Sequence, residues 1–158
     1  MFVAARAVIY ATLFIGLLVI FVPARVLSSS GVVAPKTIGP WQGAGMLVAA
    51  AGAALAVWCI ATFALVGKGT PAPFDPPRRL VVRGPYHVVR NPMYIGAGLA
   101  MTGAAVYYQS VALLAYVGVF MLVSHLFVAA YEEPTLRRTF GKDYEAYCKK
   151  VGRWWPKR

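Results

Sequence analysis

Two adjacent carboxylates, Glu132-Glu133, follow a stretch, 91–131, that carries no charged residue. A helix C-terminus would sooner carry Lys or Arg, because carboxylates there oppose the macrodipole. The pair therefore asks for a cationic partner: a loop arginine such as Arg90, or a charged ligand. The second concentration of chemistry is Gly67–Tyr94, GKGTPAPFDPPRRLVVRGPYHVVRNPMY. Gly67-Lys68-Gly69 sets two residues without a β-carbon where backbone N–H groups can approach a ligand, although glycine also simply ends helices. Pro71, Pro73, Pro76, Pro77 and Pro85 restrict the segment, so it is no floppy linker. Gly84-Pro85-Tyr86-His87 and Arg90-Asn91-Pro92-Met93-Tyr94 combine a tight turn with aromatic, imidazole, guanidinium and amide groups, a set suited to an anionic group and an aromatic base. His125 lies seven residues before Glu132, on the same helix face within about 20°. A histidine in an apolar helix invites a functional role; a hydrogen bond to a neighbouring helix accounts for it equally well.

The elements that must position these residues are apolar. Of 158 residues, 59% are hydrophobic and 13% charged, against about 45–50% and about 25% in soluble domains. That composition points to one all-α membrane domain over 1–158, with no polar stretch long enough to bury a core of its own. A crossing needs roughly 20 apolar residues. Ala7–Ala24 is uncharged, lies between Arg6 and Arg25, and ends near Pro23. It predicts a first, retained helix over about 4–25 rather than a cleaved signal peptide, with a loop from Leu27 to Pro40. Trp41–Val66 predicts the second helix, 41–66, whose Gly43, Gly45, Gly52 and Ala56 permit close helix contact. The run 91–131 is twice the length of one crossing. It divides best at Tyr107-Tyr108-Gln109-Ser110, which suit a headgroup interface, into helices 92–107 and 110–133. Pro92 fits the first turn of the third helix, where its missing N–H costs nothing. A loop, 67–91, and a polar tail, 134–158, complete the chain, the tail beginning as a continuation of the fourth helix.

The net charge of +11 is assigned to a membrane surface and not to nucleic acid, because the bases flank apolar runs. With four crossings, Arg25 and Lys36 are the only two of the 16 Lys and Arg residues on one side. The positive-inside rule then places both termini, the loop and the tail in the cytosol. Cys59 and Cys148 are read as free thiols, and no metal-ligand spacing exists. Arg78, Arg79, Lys142, Lys149 and Lys150 need do no more than anchor anionic lipid heads, so a non-enzymatic lipid-binding membrane protein is the alternative to an enzyme.

The pairing of GPYHVVRNPMYIG with YEEPTLRRTFGKDYEAYCKKVGRWWP resembles the isoprenylcysteine carboxyl methyltransferase and phospholipid methyltransferase superfamily, over roughly Gly67 to Pro156. The resemblance implies a helical membrane enzyme that binds S-adenosylmethionine from the cytosolic side, releases S-adenosylhomocysteine, and receives a lipid-soluble substrate from the bilayer. It implies cofactor contacts from Gly67, Gly69, Glu132 and Glu133, and from Pro85, Tyr86, His87, Arg90, Asn91, Pro92 and Tyr94 in the loop. Many members have His where this chain has Asn91. Tyr144, Tyr147 and Arg153 match a family pattern without an assigned role. Methyl transfer needs alignment and water exclusion more than covalent catalysis, and no metal. Arg90 is expected to hold the cofactor carboxylate or orient a carboxylate acceptor. An amine acceptor would need a base, for which Glu133, His87 and His125 are candidates. The acceptor, a prenylated cysteine carboxylate or a phospholipid amine, stays open, as does a lipid tunnel shared within a homo-oligomer. Membrane sterol reductases share a related C-terminal architecture but usually have more helices.

Overall fold

The computed structural model describes residues 15–67 and 79–157. The expected start of the first helix and the loop residues 68–78, Gly69 among them, lie outside these. The described residues are helical with no strand, save one isolated bridge between Val89 and Gly152. A π-helical turn, Ile15–Phe21, leads into α1, Val22–Ser29. Pro23 thus stands inside a continuous helical run, Gly16–Ser29, rather than ending the first span. The polar residues Ser28, Ser29 and Ser30 fold their hydroxyls back onto carbonyls of the preceding turn.

Helix α2, Pro40–Thr62, is continued by a second π-helical turn, Phe63–Gly67. Gln42 caps its start by accepting from the Gly39 N–H at 3.0 Å. Helix α3, Pro92–Tyr107, returns antiparallel and packs along α2 more extensively than any other pair. Glycines make this approach possible. A β-carbon on Gly45 would sit 2.7 Å from the Gly103 carbonyl, and one on Gly52 would sit 2.6 Å from the Gly96 carbonyl. The two contacts are one heptad apart on both helices, so the backbones meet along one seam. Small residues at a seam are how helices associate where lipid removes the hydrophobic drive between them. Ala56 joins the seam beside Gly96, whereas Gly43 faces open space.

Helix α3 ends at Tyr107, Gln109 takes a left-handed φ of 49°, and Ser110 caps α4, Val111–Phe127, accepting from Leu113 N–H at 3.2 Å. A third π-helical turn, Val128–Glu132, carries α4 into α5, Glu133–Lys150. The carboxylate pair therefore stands inside a continuing helix rather than at a C-terminus, so the macrodipole argument made from the sequence does not apply to it. Gly141, at φ 50° and ψ −123°, bends α5.

Two described helical stretches are long and apolar enough to cross a membrane, Pro40–Thr62 and Val111–Lys150. Both leave apolar side chains on the outside, among them Leu47, Val57 and Trp58 on α2 and Leu114, Val119, Leu122 and Leu126 on α4. A helix from a soluble core would bury such groups; these suit a lipid-facing surface. Helix α3, with 16 residues, is about 24 Å long, short of a bilayer core of about 30 Å.

Candidate functional site

The site forms where the segment before α3 meets the junction of α4 and α5. Gly84, at φ 58°, starts a 3-10 turn, Gly84–His87, whose Pro85 and Tyr86 are buried. Tyr86 packs edge-on against Phe63, centroids 5.0 Å apart, and over Cys59 and Val81. Its carbonyl accepts the Tyr147 hydroxyl at 2.5 Å, which ties the turn to α5. Asn91 precedes the helical Pro92 but spends its side chain elsewhere: Nδ2 donates to the Arg153 carbonyl at 3.2 Å. Phe63, Leu80, Val81, Tyr86, Arg90 and Asn91 line one side of a cleft, and Val128, Glu132, Glu133, Leu136, Tyr144 and Tyr147 the other. The enclosed cavity is about 40 Å³, well below the roughly 300–1,000 Å³ of small-molecule sites.

Two π-helical turns supply this lining, Phe63 from one and Val128 and Glu132 from the other. Each π turn inserts an extra residue into the helical repeat and rotates the face that follows; such bulges concentrate at functional sites.

The charges are balanced in number but not in pairing. Glu133 is buried and takes both guanidinium groups: Arg153 grips it with two bonds, Nε to Oε1 at 2.7 Å and Nη2 to Oε2 at 2.8 Å, while Arg90 Nη2 shares Oε1 at 2.9 Å. The bond to Glu133 raises the Arg153 pKa, against the lowering effect of burial. Glu132, in contrast, accepts one hydrogen bond, from the Tyr94 hydroxyl at 3.3 Å, and no salt bridge among the described residues. Arg90 Nη1 donates to the Cys148 sulfur, and Arg90 Nε is buried with no partner. The Tyr147 hydroxyl is spent on the Tyr86 carbonyl. The site thus holds a carboxylate bonded only to Tyr94 and a guanidinium with one buried N–H unsatisfied.

The chain belongs to the phospholipid methyltransferase family. A family model of that description matches residues 41–143, well over half of the chain. No curated protein and no solved structure matched it. The family is one of methyltransferases acting on lipid substrates, and its membership agrees with the apolar outer surface of α2 and α4.

Tyr86, Arg90, Asn91, Glu132 and Glu133, all singled out in the family member's sequence, meet at the cleft. Tyr94 reaches it through its bond to Glu132, and Pro85 and Pro92 shape the backbone on either side. Gly67 ends the π turn after α2, and Gly69 is outside the described residues. His87 is exposed and is not among the lining groups, because the 3-10 turn aims it outward. His125 accepts from Trp154 Nε1 at 2.9 Å, a structural contact between α4 and the tail. Sequence reasoning paired Glu132 or Glu133 with Arg90 and gave Arg153 no role. It missed the apolar lining, Phe63, Leu80, Val81, Val128 and Leu136, which no spacing marks as distinct from ordinary core.

Proposed function

We propose that this chain is a multi-pass membrane methyltransferase that uses S-adenosylmethionine to methylate a lipid-soluble acceptor, with the cleft as its cofactor site. The asymmetric pairing carries the reading. Were Glu132 and Arg90 a structural pair, each would satisfy the other. Instead Glu133 holds both arginines, leaving Glu132 with Tyr94 alone and Arg90 with one unused N–H. A buried guanidinium N–H without a partner is costly, and a ligand carboxylate offers it an acceptor. Glu132 suits the ligand's ammonium, and Tyr86 and Phe63 offer faces for an aromatic base.

The bound cofactor would supply an electrophilic methyl group on a sulfonium, taken by the acceptor in a single displacement. The chain's own contribution is to orient and to exclude water. Arg90 and Glu132 hold the two ends of a zwitterion, which fixes its rotation. Leu80, Val81, Val128 and Leu136 keep the surroundings dry, where charged contacts are stronger. Glu133, committed to two arginines, and Glu132, committed to the ligand's ammonium, are both poorly placed to take a proton from an amine acceptor. The four-crossing arrangement with loop, tail and cleft at the cytosolic face belongs to the same proposal, supported by the lipid-facing apolar surface and by the positive-inside distribution of Lys and Arg.

Equilibrium dialysis of detergent-purified protein against labelled S-adenosylmethionine tests the assignment. Saturable binding, displaced by S-adenosylhomocysteine and lost in the Glu132→Ala, Glu133→Ala double variant, is expected. Undiminished binding in that variant would remove the cleft as the cofactor site.

A further inference from the structure

Beyond the family match, which ends at residue 143, the chain leaves α5 and folds back as a short strap. Val151 closes the helix on the Tyr147 carbonyl at 2.9 Å. Gly152 then pairs with Val89, and its carbonyl accepts the Arg90 N–H at 2.8 Å. The Arg153 carbonyl accepts from Asn91, Trp154 bonds to His125, and Lys157 Nζ donates to the Cys148 carbonyl at 2.8 Å. A β-carbon at Gly152 would overlap the Trp155 carbonyl, so the return requires glycine there. Every anchor of the strap except His125 lands on a segment that also lines the cleft.

We propose that Arg153 is a positioning residue that holds the strap on the cleft wall and, by occupying both oxygens of Glu133, sets Arg90 with a spare N–H toward the ligand anion. The proposal rests on the cofactor reading of the cleft. The geometry explains the division of labour. A two-pronged guanidinium contact fixes the plane of a carboxylate as a single contact cannot. With that plane fixed, Arg90 can reach only Oε1 with Nη2, and its Nε is left over. Without Arg153, Glu133 could turn its second oxygen to Arg90, which would satisfy the guanidinium internally and close the anion site. Main-chain contacts at Val89 and Arg90, with the Asn91 side chain on the Arg153 carbonyl, tie the strap to the arginine's own segment.

Cys148 reports on this arrangement, because it sits under Arg90 and beside the strap, while Cys59 is fully buried in another cluster. The full chain in micelles is labelled with N-ethylmaleimide and each cysteine followed by peptide mass. In Arg153→Ala, Cys148 is expected to react about tenfold faster, with Cys59 still protected. Arg153→Lys, which keeps the charge and loses the fork, should fall between. A Cys148 rate within about twofold of wild type in Arg153→Ala would overturn the proposal. If the alanine variant exposes both cysteines together, the lysine variant decides: acceleration at Cys148 alone supports the role, and a wild-type rate removes it. S-adenosylhomocysteine should slow Cys148 labelling in wild type and not in Arg153→Ala. Faster labelling in the variant, with no protection of wild type, keeps the strap role and removes the cofactor reading. Equal protection in both proteins keeps the cofactor reading and removes the positioning role.

Discussion

Neighbouring carboxylates with opposite roles make a sharp prediction. Glu133→Gln removes the negative charge between Arg90 and Arg153, whose side chains are 11% and 31% exposed. Arg90 cannot recover water, whereas Arg153 partly can. Breaking a buried pair by removing one partner costs about 3–5 kcal/mol; with one arginine part-exposed, the expected loss is about 2–4 kcal/mol. For a chain of this size that is a fall in Tm of about 5–15 °C. Glu132→Gln alters a carboxylate with no cationic partner and leaves an oxygen to accept from Tyr94, so it should move Tm by less than about 3 °C. Thermal unfolding in one detergent, followed by circular dichroism, compares the two. Equal destabilisation, or a larger loss for Glu132→Gln, would contradict the assignment of Glu133 to structure and Glu132 to ligand.

Other consequences are read on the same protein. Gly96→Leu pushes a side chain at the Gly52 carbonyl, 2.9 Å from the position of the first carbon; prising α2 from α3 should cost at least about 1–3 kcal/mol, while Gly43→Ala, facing open space, should be neutral or gain up to about 1 kcal/mol, both measured by unfolding. Tyr147→Phe leaves the Tyr86 carbonyl without its donor and should cost about 1 kcal/mol and weaken cofactor binding through the displaced Tyr86 ring, measured by unfolding and by dialysis. Gly152→Ala overlaps the Trp155 carbonyl and should undock the strap, seen as faster maleimide labelling of Cys148 with Cys59 unchanged.

Much of this arrangement is legible in the sequence. The long uncharged run from Asn91 divides at Tyr107–Ser110 because two tyrosines, a glutamine and a capping serine suit an interface turn, although no glycine or proline marks it; Gln109 supplies the left-handed residue instead. Arg90 and Glu132, 42 positions apart, reach one cleft because α3 and α4 form an antiparallel pair that returns the chain to its starting level. The π-helical turns were not legible. Apolar periodicity cannot tell a helix from one that slips a single hydrogen bond, and in an all-apolar span every face carries the same signal. Glu132 is bonded to Tyr94 and Glu133 to the arginines, although both line the cleft. Pro23 misled for a related reason: a proline also sits where a helix passes from π to α form without ending, and only the backbone shows it. Arg153 was hidden because its partnership spans the Gly141 bend and a reversal at Gly152, neither of which a spacing rule describes.

The central claim is methyl transfer at this cleft onto a molecule that lives in the membrane. Purified protein incubated with methyl-labelled S-adenosylmethionine and a membrane lipid extract, then partitioned into organic solvent, reads it directly. The account predicts label in a lipid-soluble product with wild type and little or none with Glu132→Ala. Organic-phase label no higher with wild type than without protein, or undiminished with Glu132→Ala, would contradict it.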